Sequence, residues 1–243
     1  MATRDDQFWG EFLGIEPSRW DLPGISIRTH VGLQGYRGLW CFRRRDHTVV
    51  SAPAGWISLL RHRVGESDGE RLLDESFLAE LLGEDFDRLI GPAFQGCLEP
   101  DNFRPVSAKE VRGLNPEDSD AFRQLRDQCP PAAVDDSGIA KAMEHVGYFQ
   151  GSALLAVAGY RPWSDVAGDP CILTDSDFHG RGYGTAVASA VVERALNKGK
   201  LLLYQTLEGN IGAVRIARRL GYEQYGRHVA VRLRNDAPTV EHM

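Results

Sequence analysis

The sequence lacks any apolar run long enough to cross a bilayer, which excludes a helical membrane protein. Its first residues, Met1-Ala-Thr-Arg-Asp-Asp6, turn acidic at once and hold no apolar signal core, so a cytoplasmic location is expected. Cysteine is scarce. Cys41, Cys97, Cys129 and Cys171 stand far apart with no paired spacing that would suggest a metal, and they read as reduced, mostly buried thiols. The histidines are scattered too, so no metal site is expected. Basic charge is not in excess: 28 Lys and Arg against 34 Asp and Glu leave a net charge of −6, which argues against a nucleic-acid partner. Arg43-Arg44-Arg45 and Arg61-His62-Arg63 are local exceptions that read as solvated clusters. An acidic surface suits a cationic amine as substrate.

What is present is a strand, a glycine-rich turn and a helix start. Cys171-Ile-Leu-Thr174 reads as a strand. His179-Gly-Arg-Gly-Tyr-Gly-Thr185 follows, and then Ala186, Val187, Ala190, Val191, Ala195 and Leu196 recur at helical spacing. Glycines let the main chain approach an anion closely, and the first N–H groups of a helix point at it unpaired, so the stretch predicts a cradle for a pyrophosphate. A Walker loop is excluded because Thr185 follows Gly184 directly, with no Lys between them. A dinucleotide fingerprint does not fit, because Gly180, Gly182 and Gly184 have the wrong spacing and lie late in the chain.

At 243 residues the chain is long enough for one large domain or two small ones. Residues 1–100 read as a separate, smaller α/β unit. In it Ile25–Val31 is a strand, Gly38–Phe42 and Thr48–Ser51 form a hairpin, and Ala54 to about His62 is a helix entered through Pro53. Arg71 to Ile90 carries an apolar stripe that predicts a helix with a break at Gly83. This unit reads as a worn half-copy of the C-terminal fold or as a cap. Pro92–Pro105 reads as a connection, and residues 106–236 as the second domain. There Ser107–Leu114 is a first strand, and Asn115 starts a helix that Pro130-Pro131 ends. A second helix is expected over Asp136–Glu144, with strands at Ser152–Tyr160, Asp169–Asp175, Leu201–Thr206 and Gly226–Leu233.

The spacing of His179-Gly180-Arg181-Gly182-Tyr183-Gly184 resembles the acyl-CoA loop of the GCN5-related N-acetyltransferases (GNAT), in which Arg or Gln precedes two residues, Gly, one residue, and Gly or Ala. Here His stands first. Asn210-Ile-Gly-Ala213, running on to Gly221-Tyr222, resembles that superfamily's Asn-x-x-Ala helix ending in Gly-Phe or Gly-Tyr, and Leu201–Thr206 is the strand between the two motifs. The likeness covers about Val111 to Leu233. Gly91-Pro-Ala-Phe94, Phe103-Arg-Pro105, Ala158-Gly-Tyr160 with Trp163, and Tyr204 to Asn210 also resemble an uncharacterised bacterial subgroup with an extra N-terminal unit. The fold so implied is the GNAT acyl-CoA N-acyltransferase fold, α/β (α+β), a mixed twisted sheet flanked by helices.

The resemblance implies acetyl-CoA as acyl donor, with no metal. Its pantetheine arm would lie between two splayed parallel strands, held by backbone groups of Ile172, Leu173 and Thr174. N–H groups from Gly180 to Thr185, Gly182, Tyr183 and Gly184 among them, would hold the pyrophosphate, aided by the side chains of His179 and Arg181, and Asn210 completes the site. Transfer would be by direct attack of a primary amine in a ternary complex, the acceptor being a small molecule rather than a protein. Neither nucleic acid nor membrane is implied, and the exposed edge of the last strands allows a homodimer. Two usual catalytic positions depart from the pattern: Ala217 stands where Tyr is common and Gln205 where some members carry Glu. Glu208 is the favoured base and Tyr204 the second catalytic residue. Asp175 and Asp169 are further acids, and Trp40, Trp56 or Trp163 would wall the acceptor side. The alternative is a catalytically degenerate GNAT acting as a CoA-binding or regulatory module.

Overall fold

Glycines at positive φ set several element boundaries, as at Gly83 (φ +61), Gly138 (φ +66) and Gly221 (φ +97). The computed structural model describes residues 2–65 and 68–234. In chain order the first elements are α1 (Arg4–Leu13), β1 (Gly24–Thr29), β2 (Leu39–Arg44), β3 (His47–Ala52), α2 (Ile57–Val64), α3 (Glu75–Leu82) and β4 (Phe86–Leu98). They are followed by β5 (Val111–Gly113), α4 (Ser119–Gln128), α5 (Pro131–Ser137), β6 (Met143–Gln150), β7 (Ala153–Pro162) and β8 (Ala167–Thr174). The last are α6 (Tyr183–Asn197), β9 (Leu201–Leu207), α7 (Ile211–Leu220) and β10 (Glu223–Leu233). The fold is mixed α/β, and the described residues divide into two compact units, those up to Gln95 with those from Gln224 on, and Gly96–Glu223.

In the first unit the strands lie in the order β1-β3-β2-β10-β4. β1 and β3 are parallel, β2 and β3 form the expected hairpin, and β10 pairs antiparallel with β2, Ala230 opposite Trp40. The strand expected to close the second domain thus pairs with β2, and residues 235 and 236 of the expected boundary lie outside the described residues. Trp56, Leu60, Leu72, Leu78 and Leu82 pack with Val229 and Val231 into one core. The apolar stripe from Arg71 to Ile90 is not one helix. Gly83 ends α3, and Phe86, Leu89 and Ile90 belong to β4, which runs on through Pro92 to Leu98. Ala93, Phe94 and Gln95, expected in a connection, are buried strand.

In the second unit the order is β9-β8-β7-β6-β5, antiparallel except for the parallel pair β8 and β9. Alternation sends Val157, Cys171 and Leu173 into a core with Leu125 of α4, Cys129 just after that helix and Val134 of α5. The even-numbered Ile172 and Thr174 face α6 on the other side. Asn115 caps the chain entering α4, as expected, by accepting from Glu117 N–H at 3.0 Å. The second helix lies earlier than expected. Pro131 starts α5, Gly138 ends it, and Met143 and Glu144 already belong to β6. The first strand is shorter than expected, only Val111–Gly113.

Candidate functional site

The site is built where β8 and β9 part. Leu201 N–H donates to Val166 O at 2.8 Å, and the parallel register holds for Ala167 with Leu201 and Gly168 with Leu202. Beyond Gly168 the two strands no longer pair, although β8 continues to Thr174 and β9 to Leu207. On its other side β8 stays in unbroken register with β7 from Gly168 to Thr174. Trp163 N–H donates to Ala167 O and Asp175 N–H to Leu155 O, so the odd-numbered positions carry the ladder to β7. The alternation turns the backbone groups of Ile172 and Thr174 toward the parting. Leu173 faces Val157 and commits its own N–H and C=O there. Pro170 falls on the parting side too, where its missing N–H costs no ladder bond.

A cavity of about 800 Å³ fills the parting. Ile172, Leu173 and Thr174 line it from β8, and Tyr204, Gln205 and Thr206 from β9. Its third wall is the start of α6, with His179, Gly180, Gly182, Tyr183, Gly184 and Thr185. Gly180 (φ +77) and Gly182 (φ +87) are left-handed, with open space where a Cβ would stand, so conformation and not crowding calls for glycine there. Gly184 is the opposite case. Its ideal Cβ position is 2.9 Å from Thr174 Oγ1, 3.4 Å from Ile216 Cδ1 and 3.6 Å from Ile172 Cγ2. Gly182 is the N-cap of α6 and brings no side-chain cap, so the N–H groups of Tyr183, Gly184 and Thr185 have no intrahelical acceptor. Tyr183 is stacked on Tyr148 at 4.0 Å, which fixes the entry of the helix.

The side chains fall less evenly. His179 donates from Nε2 to Thr174 O at 3.0 Å, which ties the loop to β8. Arg181 lies over the ring of Phe178 at 5.0 Å and is not among the residues that line the cavity. Asn210 lines it and caps α7, its Oδ1 accepting from Ala213 N–H at 3.1 Å. Tyr204 is buried, its ring edge-on to Tyr222 at 5.1 Å, and burial raises its phenol well above the ordinary tyrosine range. Glu208, the expected base, lies in the turn after β9 and does not line the cavity. The further acids have other work. Asp175 Oδ1 accepts from Asp177 N–H at 3.0 Å, and buried Asp169 accepts from Arg161 Nη2 at 2.7 Å and from Trp163 Nε1 at 3.1 Å. Trp56 is enclosed in the core of the first unit, and neither it nor Trp40 nor Trp163 lines the cavity. Cys171 is buried, and burial pushes its thiol up to about 12, which disfavours the nucleophilic thiolate.

Three charged lining residues were missed in the sequence. Asp136 of α5 is the one carboxylate among the lining residues, and Arg215 and Arg219 enter from α7. The arginines were legible as a pair one turn apart on a helix already recognised. Asp136 was hidden by placing its helix too late. Among the described residues no group of His, Cys, Asp and Glu could hold a metal ion, and no helix is long and apolar enough to cross a membrane.

Residues 111–222 match the acetyltransferase (GNAT) family. No curated protein matches the chain. Among solved structures, it is similar to a GNAT-family acetyltransferase from Colwellia psychrerythraea, at 14% identity and a TM-score of 0.48, over 65% of this chain and 61% of that one. It is similar also to a GCN5-related N-acetyltransferase from Kribbella flavida, at 21% identity and a TM-score of 0.46, over 65% of this chain and 64% of that one. The chain thus spans less than two thirds of the length of either. A GCN5-related N-acetyltransferase-like protein from Streptococcus suis matches over 96% of this chain and 100% of its own, at 12% identity and a TM-score of 0.48. Residues 111–222 of this chain are a domain of the GNAT acetyltransferase family.

Proposed function

We propose that the protein transfers an acetyl or other small acyl group from acetyl-CoA to the primary amine of a small molecule, by direct attack with both bound. The observation that carries this reading is the parting of β8 and β9 after Gly168 and Leu202, beside the uncapped first turn of α6. An extended, amide-bearing arm laid along β8 meets the backbone groups of Ile172 and Thr174 as an added strand would. Leu173, whose backbone belongs to the β7 ladder, offers only a wall. A diphosphate takes the N–H groups of Tyr183, Gly184 and Thr185 and the positive end of the α6 dipole. A Cβ at position 184 would intrude on the packing that sets this cradle, so glycine there fits such a ligand.

When bound, acetyl-CoA supplies the activated thioester. The chain supplies orientation and proton handling. An alkylamine has a pKa of about 10 and must shed a proton before it attacks. Asp136 is the lining carboxylate and takes that proton, directly or through water. Tyr204 stays protonated, because burial raises its phenol, and donates to the departing sulfur.

Acetyl-CoA at a hundredfold excess over its dissociation constant should stabilise the fold by about 2.7 kcal/mol. CoA release with a panel of amines then reads transfer. Asp136→Asn and Tyr204→Phe should each lower turnover on the order of a hundredfold while acetyl-CoA still binds, and Glu208→Gln should leave it unchanged. Ala217, fully buried where the family commonly has Tyr, favours a second reading, a CoA-binding module without transfer. Tight binding with no turnover on any amine would support that reading and sink the first.

A further inference from the structure

Arg215 and Arg219 both line the cavity and stand one helical turn apart on α7, which brings their Cβ atoms to within about 5–6 Å of each other. Neither side chain makes an ion pair, hydrogen bond or ring contact with another described residue. Like charges one helical turn apart repel each other, and an oxyanion between them would relieve that repulsion. Their position along the cavity says which oxyanion. Ile216, next to Arg215 in sequence, packs beside Gly184, its Cδ1 3.4 Å from that residue's ideal Cβ position. The arginines thus line the cavity from the helix whose Ile216 packs on the first turn of α6, where the diphosphate is placed. Asp136, which would receive the amine, lies on α5, against the opposite face of the sheet from α6.

We infer that Arg215 and Arg219 form a second phosphate site in the cavity, which takes the phosphomonoester on the ribose of the coenzyme and selects CoA over its dephospho form. The inference rests on the acetyl-CoA reading above. Planar guanidiniums suit a phosphate dianion because each can give it two parallel N–H bonds. A carboxylate on the acceptor offers the same oxyanion chemistry, and the test separates the two.

The test is calorimetric titration of the full chain with acetyl-CoA and with acetyl-dephospho-CoA, for the unchanged protein, R215Q/R219Q and R215K/R219K. The unchanged protein should bind acetyl-CoA about tenfold tighter, as expected for two exposed charge contacts, with the gap narrowing as salt rises. R215Q/R219Q should lower acetyl-CoA affinity to the dephospho level and leave the dephospho affinity as it was. R215K/R219K should recover part of the preference. Both side chains are exposed, so an unchanged melting temperature without ligand verifies the fold. Equal binding of the two ligands by the unchanged protein overturns this inference alone. So does an equal loss of both ligands in R215Q/R219Q, which would place the arginines on the diphosphate, or an unchanged preference there, which would leave them to the acceptor. Failure of both ligands to bind the unchanged protein overturns the acetyl-CoA reading and this inference with it.

Discussion

Gly184 and Thr174 meet so closely that a Cβ on the glycine would stand 2.9 Å from the threonine Oγ1. That contact sets the distance between the first turn of α6 and the end of β8, the two surfaces on which the proposed ligand lies. Gly184→Ala should therefore push the helix start off the strand, at about 1–3 kcal/mol in stability and with weaker acetyl-CoA binding. Thr174→Ala removes the obstructing oxygen. The double variant should recover most of the lost affinity, and a double-mutant cycle in which the two effects simply add would show that the contact does not position the cradle.

His228 of β10 is buried and stacked on Trp40 at 4.2 Å, and burial lowers its pKa to about 3. In the unfolded chain the same ring titrates near pH 6.5. Below that value the unfolded state binds a proton that the folded state refuses, so stability is full above pH 6.5 and falls as the pH drops toward 3. The slope from this group alone is about 1.4 kcal/mol per pH unit. His30 and His47 shift in the same direction, through burial. His228→Phe keeps an aromatic ring against Trp40 and should flatten the acid limb of a denaturation series from pH 7 to pH 4. An unaltered limb would mean that the ring takes its proton inside the fold.

The alkaline limb has a different origin. Burial pushes the thiol of Cys171 and the phenol of Tyr160 up to about 12, from ordinary values of 9.0 and 10.0. Tyr204 and Tyr222 are raised as well. Above pH 9 the unfolded chain therefore releases protons that the folded chain keeps, and stability declines with rising pH. The buried hydroxyl of Tyr160 has no hydrogen-bond partner among the described residues. Tyr160→Phe should accordingly raise stability at pH 7 by about 1 kcal/mol and shorten the alkaline decline. Equilibrium denaturation at pH 7 and pH 10.5 measures both.

What the sequence made legible was local in origin. Gly180 and Gly182 adopt left-handed φ because their own chemistry permits it, and Asn210 and Gly221 mark the two ends of α7 by capping rules that need no knowledge of the fold. What was missed depends on distant partners or on period. Phe86, Leu89 and Ile90 continue the spacing of α3, and only burial in a sheet makes them strand. Gly91-Pro92 reads as punctuation, yet it sits inside β4. Nothing local told β10 to pair with β2. In the cavity, Ile172 to Thr174 and most of the glycine loop are legible as local sequence and do line it, whereas the charged walls are not legible. Asp136 reads as the start of a helix that in fact ends at Gly138, and the place of Glu208 near the strand end does not give the direction of its side chain.

Asp169 and Arg161 make a bridge whose carboxylate is buried, so its loss should be costly. They sit opposite each other in the β7–β8 register, one residue past Gly168, the last residue of β8 paired with β9. Arg161 donates from Nε at 3.0 Å and from Nη2 at 2.7 Å, and Trp163 Nε1 donates at 3.1 Å. Burial by itself pushes the Asp169 carboxyl upward, and these donors work against it. Asp169→Ala strands a largely buried guanidinium and an indole N–H, and should destabilise by about 3–5 kcal/mol. Removing both charges with R161M/D169L leaves no guanidinium stranded, although Trp163 Nε1 still loses Asp169, so the pair should cost less than Asp169→Ala alone. The functional consequence is separable from the stability. If the bridge also fixes where β8 and β9 begin to part, R161M/D169L should fold at 25 °C and still bind acetyl-CoA more weakly than the unchanged protein. Calorimetric titration of the refolded double variant decides this, and full affinity would make the bridge a stabilising element alone.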